Sequence, residues 1–272
     1  MNITLEVGGR AWQADLTRPL DISIPLDFSR SQPSFFGAPR AHAEPLRAGT
    51  FTGEVRTGGS CNCSTYSVTP HCNGTHTESV GHITVELHSV QALVEATLLP
   101  AQLVTVPIAS GRDAGAENDI VTQPDDRLIT AHALSMAASG SISTGARALI
   151  IRTLPNPRSK RTQQYDREPA AYFTSAAMNW IVAQGVQHLI VDVPSLDRAN
   201  DDGRMLCHRI YWGMPARAAS EHPIARPRAT VTEMAYVPDE VLDGCYLLNL
   251  QIAPFVADAA PSRPLLYPLV QR

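Results

Sequence analysis

The chain has 272 residues, of which 44% are hydrophobic and 18% charged, with a formal net charge of −4. These values fit a globular protein with a sizeable core. The weak negative charge and the lack of a long basic tract argue against nucleic-acid binding. No stretch reaches the roughly 20 apolar residues of a membrane-spanning helix, and the N-terminus does not read as a signal peptide.

The cysteine count favours a reducing compartment. An odd number of cysteines suits reduced thiols better than a disulfide framework, and the chain has five: Cys61, Cys63, Cys72, Cys207 and Cys245. We therefore expect a cytoplasmic protein that binds neither nucleic acid nor membrane.

The first half of the chain predicts short strands joined by loops. A hairpin is expected over 3–16, with a turn at Gly8-Gly9. Residues 27–59 are rich in Pro, Gly, Ser and Phe and predict a long loop with short strands. Further strands are expected at 21–26, 64–70, 82–86 and 102–108.

The second half predicts an α/β unit. An apolar strand at 148–151, a helix that begins at Thr174 or Ser175, and a strand at 188–193 form a strand–helix–strand crossover. The remaining expectations are a helix at 125–138, a loop-rich stretch at 196–227, and strands at 229–234 and 246–252. With no internal repeat and no long linker, we expect a single α/β domain over residues 1–272.

The segment 70–82 contains most of the candidate chemistry, with three His, one Cys and one Glu in thirteen positions. If this segment is extended, side chains alternate between two faces. Cys72, His76 and Glu78 then share one face and His71 lies on the other. Thiolate, imidazole and carboxylate are all zinc ligands. An exposed histidine cluster with a packed cysteine remains an alternative, as does a ligand set of Cys61, Cys63 and Cys72.

The same stretch resembles the metal motif of the cyclase family, which includes bacterial kynurenine formamidase and isatin hydrolase. The family motif reads H-x-G-T-H-x-D with a further His four residues later. It stands here as Cys72-Asn73-Gly74-Thr75-His76-Thr77-Glu78, followed by His82. Segments 21–26, 172–197, 232–234 and 257–263 also resemble family segments in the same order. The resemblance covers most of the chain and identifies a divergent member.

The resemblance implies a fold, an assembly and a set of site residues. The fold is a central mixed β-barrel-like sheet flanked by helices, the swivelling β/β/α arrangement, in a homodimer or homotetramer. His82 would be the catalytic acid/base, or alternatively support a metal-bound carboxylate. The metal ligands implied are Cys72, His76 and Glu78 for a first ion, and His208 and Glu233, with His222 as the fallback, for a second.

Two ligand positions depart from the family pattern. Cys72 stands where the family has His, and Glu78 stands where it has Asp. A thiolate is a softer ligand and favours Zn²⁺ over Mn²⁺ or Mg²⁺, so we expect one or two zinc ions. Phe35 and Phe36 lie near the family's aromatic substrate contact. They would stack on a planar substrate or pack in the core.

The expected activity is metal-assisted hydrolysis of a small-molecule amide, formamide, lactam or lactone. The metal ion lowers the pKa of bound water to about 7, and His82, with an unperturbed pKa of about 6.5, moves the proton. Two alternatives stay open: an arylformamidase acting on N-formylkynurenine, and a catalytically silent binding protein with the same fold.

Overall fold

A computed structural model describes residues 1–94, 96–112, 122–215 and 223–272. The α-helices in these ranges are α1 (Val90–Leu93), α2 (Ala131–Ala137), α3 (Ser175–Ala183) and α4 (Leu206–Trp212), and 3₁₀ turns lie at Val55–Thr57, Pro70–Cys72, Val80–Ile83 and Arg158–Thr162. The strands are β1 (Asn2–Val7), β2 (Arg10–Asp15), β3 (Leu20–Asp21), β4 (His42–Pro45), β5 (Arg47–Ala48), β6 (Phe51–Thr52), β7 (Ser64–Ser67), β8 (His76–Glu78), β9 (Leu98–Pro107), β10 (Ala109–Ser110), β11 (Arg127–Ile129), β12 (Ala148–Leu154), β13 (Tyr172–Phe173), β14 (His188–Val191), β15 (Thr230–Glu233), β16 (Gly244–Ile252), β17 (Ala259–Pro268) and β18 (Val270–Gln271).

Seven strands close into a mixed barrel. Their order is β16, β9, β12, β14, β15, β8 and β17, and β17 pairs back with β16. The strands β9, β12, β14 and β15 are parallel to one another. Their neighbours β8, β17 and β16 pair antiparallel. This is the mixed barrel flanked by helices that the resemblance implies, and the fold prediction is confirmed.

Alternation along β12 shows how the barrel is built. Leu149 and Ile151 pack in the cluster that includes α3 and α4 residues. Ala148 and Ile150 pack in a second cluster, with residues from β9, β14, β16 and β17. Successive side chains of a strand point to opposite faces, so the first cluster lies between barrel and helices and the second inside the barrel. Across the described ranges, no helix is long and apolar enough to cross a membrane.

Several expected elements are confirmed. The hairpin forms as β1 and β2, and β12, α3 and β14 form the predicted crossover with parallel strands. Thr174 caps α3, because its side chain accepts a hydrogen bond from the backbone N–H of Ala177.

Other expected elements are wrong, and for helix α4 a tertiary contact gives the reason. The helix expected at 125–138 begins as strand β11 and is helical only over Ala131–Ala137. The strand expected at 82–86 is replaced by the 3₁₀ turn Val80–Ile83. The loop-rich stretch 196–227 contains α4, which packing stabilises because Trp212 is fully buried.

A buried leucine on β12 gives a test of this packing. Leu149 is fully buried between barrel and helices. Leu149→Ala should lower the free energy of unfolding by about 2–5 kcal/mol, since a cavity replaces packed methyl groups. Urea unfolding followed by circular dichroism measures this. Leu154→Ala is the matched control, because Leu154 ends the same strand with 44% of its surface exposed. Its change should stay within about 0.5 kcal/mol.

Candidate metal centre

Two neighbouring barrel strands carry the first group of site residues. In β8, His76 and Glu78 are two positions apart and point to the same face. The register of β8 with β15 places Glu233 opposite His76, with His76 Nε2 3.4 Å from Glu233 Oε2. The intervening Thr77 points the other way, where its hydroxyl bonds to that of Thr232 at 2.8 Å. The predicted shared face of His76 and Glu78 therefore holds within the strand.

The extended conformation expected before β8 is wrong. Residues Pro70–Cys72 form a 3₁₀ turn, with proline at its start. The turn is followed by Gly74 at φ +146°, a conformation that favours glycine. A side chain added at Gly74 would meet only Leu26, at 4.0 Å. The requirement for glycine at this position therefore comes from the path of the backbone.

This turn brings His71 to Glu78 in place of Cys72. His71 Nδ1 lies 2.9 Å from Glu78 Oε2. Among the described residues, Cys72 belongs to no group of converging candidate ligand atoms. Burial, together with the carboxylates of Asp166 and Glu233, raises the pKa of the Cys72 thiol. The parity argument that placed Cys72 on the Glu78 face fails, because alternation requires an extended chain.

Helix α4 brings His208 to the same cluster. Its Nε2 lies 3.1 Å from Glu78 Oε1 and 3.7 Å from Glu233 Oε1. Its Nδ1 lies 2.6 Å from Asp197 Oδ2. Asp197 also accepts hydrogen bonds from the backbone N–H groups of Cys207 and His208. One carboxylate thus satisfies the start of α4 and orients the histidine ring, a role that the sequence did not reveal.

His82 lies at the more open side of the cluster, on the turn Val80–Ile83. Its ring stacks on that of His71, with centroids 4.1 Å apart, and lies 5.6 Å from that of His208. Its Nδ1 is 3.8 Å from Asp258 Oδ2. His82 is therefore next to the expected ligands and more accessible than they are, with 27% of its side chain exposed.

The buried charges of the cluster influence one another. Burial disfavours ionised Glu78, but the charge of His82 and the hydrogen bonds from His208 and His71 outweigh it and hold the Glu78 pKa well below the usual value. Burial and the nearby Glu78 carboxylate raise the pKa of Glu233. Burial also acts to lower the pKa of His71, but its contacts with Glu78 and Asp258 prevail and raise it to about 9. Two buried carboxylates that repel each other create a demand for positive charge.

Unsatisfied polar atoms show that the cluster fits a metal ion. Within the cluster, three buried atoms make no regular hydrogen bond to a described residue: His71 Nδ1, His76 Nε2 and Glu78 Oε2. Two of them, His71 Nδ1 and Glu78 Oε2, lie 2.9 Å apart as an ion pair. His71, His76 and Glu78 are also one of the groups whose candidate ligand atoms all lie within 4.8 Å of one another. Buried polar atoms are almost always paired. Two imidazoles and a carboxylate aimed at one another are a common ligand set for a divalent cation.

The other expected site residues lie elsewhere. Phe35 is buried against Ile24, Tyr165, Met234 and Tyr236, whereas Phe36 has 57% of its surface exposed. Their role in substrate binding stays a prediction. His222, the fallback ligand, lies outside the described residues.

The alternative cysteine ligand set is not brought together. Cys61 and Cys63 are exposed while Cys72 is buried, and none of the converging groups in the described ranges contains them.

The closed mixed barrel with its helical cover defines a class of α/β proteins that includes isatin hydrolases. Isatin hydrolase A from Labrenzia aggregata, solved with benzyl benzoate, aligns with TM-score 0.61 and 17% identity over 92% of this chain and 93% of that one. Isatin hydrolase A from Ralstonia solanacearum aligns with TM-score 0.60 and 18% identity over 92% and 91%. A "predicted metal-dependent hydrolase" from Bacillus stearothermophilus aligns with TM-score 0.57 and 15% identity over 92% and 98%.

Family membership follows from the sequence. Residues 14–198, more than half of the chain, match the Cyclase family, described as putative cyclase. The chain belongs to this family. No curated protein matches it in sequence.

Proposed function

We propose that this chain is a metal-dependent hydrolase that cleaves a C–N bond, or a lactone, of a small molecule. The observation that carries the proposal is the convergence of three buried ligand atoms that make no regular hydrogen bond, namely His71 Nδ1, His76 Nε2 and Glu78 Oε2. Membership of the cyclase family supports it. The similar fold of isatin hydrolases adds cyclic amides to the substrate classes worth testing.

His71, His76 and Glu78 would hold one divalent cation. His208, next to Glu78 Oε1, and Glu233, which contacts both His76 and His208, extend the donor set. His71 takes the place that the sequence assigned to Cys72. Such a cation lowers the pKa of water that it binds and polarises a substrate carbonyl. The preference for zinc over manganese depended on a thiolate, and imidazole and carboxylate donors suit several first-row ions. Zn²⁺ remains our first candidate, with Mn²⁺ the second.

Other residues would orient the ligands, transfer the proton and exclude water. Asp197 accepts from His208 Nδ1, so Nε2 of that ring, 3.1 Å from Glu78 Oε1, is the nitrogen that would bind a cation. His82 would take a proton from the attacking water and deliver it to the leaving nitrogen or oxygen. The surrounding apolar cluster, which includes Val80, Val231 and Trp212, would exclude competing water.

Elemental analysis and a substrate screen test the proposal together. Purified protein should contain at least one Zn or Mn ion per chain, and chelation should abolish hydrolysis that added metal restores. The screen should include formamides, among them N-formylkynurenine, with lactams and lactones. Protein that neither carries nor binds metal would contradict the proposal and favour a silent binding protein. Metal-loaded protein that hydrolyses N-formylkynurenine best would establish the arylformamidase alternative.

A further inference from the structure

The histidines of the cluster each place one ring nitrogen against a hydrogen-bond acceptor. His76 Nδ1 lies 2.9 Å from the carbonyl oxygen of Gly74, and His208 Nδ1 lies 2.6 Å from Asp197. His71 uses its other nitrogen, because its Nε2 lies 2.9 Å from Asp258 Oδ2. A carbonyl or an ionised carboxylate only accepts. The facing nitrogen therefore carries a proton. The opposite nitrogen lies against Glu78 or Glu233 and is the one that a cation would take as its ligand.

The backbone of Asp258 is held by the residue that follows Glu78. The N–H of Ser79 donates to the carbonyl oxygen of Asp258 at 2.9 Å, and the Ser79 hydroxyl donates to the same oxygen at 3.2 Å. The segment that places Glu78 in the site thus also places Asp258. The position of the Asp258 carboxylate is therefore coupled to that of the Glu78 carboxylate.

The close approach of Asp258 also depends on Gly81. A Cβ atom added at Gly81 would lie 3.1 Å from Cβ of Asp258 and 3.0 Å from the carbonyl oxygen of His88. Both contacts are tighter than ordinary, so a larger residue there would displace one of the neighbours. A side chain at this position would therefore disturb Asp258 without touching its carboxylate.

We propose that Asp258 is a positioning residue that fixes the tautomer and the ring orientation of His71. By accepting from Nε2, it leaves Nδ1 as the nitrogen that faces Glu78, at 2.9 Å from Oε2, and that would bind a cation in place of its proton. The inference rests on the proposed function, because a divalent cation is what Nδ1 would bind. Outer carboxylates of this kind orient metal-binding histidines in many proteins. Asp258 Oδ2 also lies 3.8 Å from His82 Nδ1, so the same carboxylate limits the tilt of that ring.

Metal affinity of Asp258 variants tests this role. In titrations with Co²⁺ and Zn²⁺, Asp258→Ala should bind about 10- to 100-fold more weakly than the wild type. Asp258→Asn should recover part of the loss, because its amide oxygen still accepts from Nε2 although without the charge. The absorption spectrum of bound Co²⁺ should change in Asp258→Ala, since a rotated imidazole alters the ligand geometry. Gly81→Ala should weaken binding in the same direction.

Control variants show whether weaker metal binding results from a misplaced His71 ring, from a folding defect or from the absence of a metal site. Glu240→Ala removes a carboxylate whose side chain is 76% exposed and should bind metal like the wild type. Thermal unfolding of the metal-free variants shows whether they fold. If Asp258→Ala does not fold, the metal affinity of Asp258→Asn tests the positioning role. Wild-type affinity in both Asp258 variants, with an unchanged Co²⁺ spectrum, would overturn the positioning role while leaving the proposed function intact. A wild type that binds no metal would overturn both.

Discussion

Replacing His71 with alanine should strip the protein of most of its bound metal, whereas replacing Cys72 should leave occupancy near the wild-type level. The two residues are neighbours, but the 3₁₀ turn Pro70–Cys72 sends their side chains to different surroundings. His71 Nδ1 is buried and lies 2.9 Å from Glu78 Oε2. Loss of a direct ligand should cost more than the roughly 10- to 100-fold change in affinity that removal of an outer-shell partner causes. Elemental analysis and Co²⁺ titration measure the effect.

A cobalt spectrum gives the comparison a second readout. A cysteine ligand produces a sulfur-to-cobalt charge-transfer band, and imidazole and carboxylate ligands do not. We expect no such band in the wild-type protein and no spectral change in Cys72→Ala. A charge-transfer band that disappears in Cys72→Ala, with normal occupancy in His71→Ala, would restore the sequence-based assignment of Cys72.

His71 and Cys72 show which part of the site can be predicted from the sequence and which part cannot. Ligand types, their density and the shared face of His76 and Glu78 follow from composition and strand periodicity, and these survive in β8. The position of the first ligand depends on where the strand begins. Pro70 at the start of the segment is the available signal for a turn, because its fixed φ suits the first position of a helical turn.

The carboxylates around the histidines were harder to foresee. Asp197 lies eleven residues before His208, and Asp258 lies 187 residues after His71. Asp197 lies outside α4, which begins at Leu206, and Asp258 lies between β16 and β17. No single helix or strand contains both members of a pair, so tertiary structure brings each pair together. The barrel strands can be predicted from the sequence because they are short apolar runs. In β12, for example, the four residues Ala148 to Ile151 are fully buried. Helix α4 was missed because packing of Trp212 and capping by Asp197 stabilise it.

Removal of His82 should separate catalysis from metal binding. His82 also converges with Glu78 and His208 as a group of candidate ligands, so its role as acid/base needs a direct test. We expect His82→Ala to keep its metal and to lose about 10²- to 10⁴-fold in kcat, the usual range for a general acid or base. Burial, with the neighbouring His71 and His208 rings, lowers the pKa of His82 to about 4, although the carboxylates of Glu78 and Asp258 act in the opposite direction. The ring is therefore neutral at pH 7 and able to accept a proton.

Metal content and kcat measured on the same preparation distinguish the possible roles of His82. A fall in kcat at full occupancy identifies a proton-transfer group, because the ions and the substrate carbonyl remain in place. A parallel fall in occupancy and activity would make His82 a ligand, whereas unchanged activity would leave it a supporting residue stacked on His71 at 4.1 Å. His42→Ala is the matched control, since His42 is exposed on β4. It should alter neither quantity, because its ring lies outside every converging group in the described part of the chain.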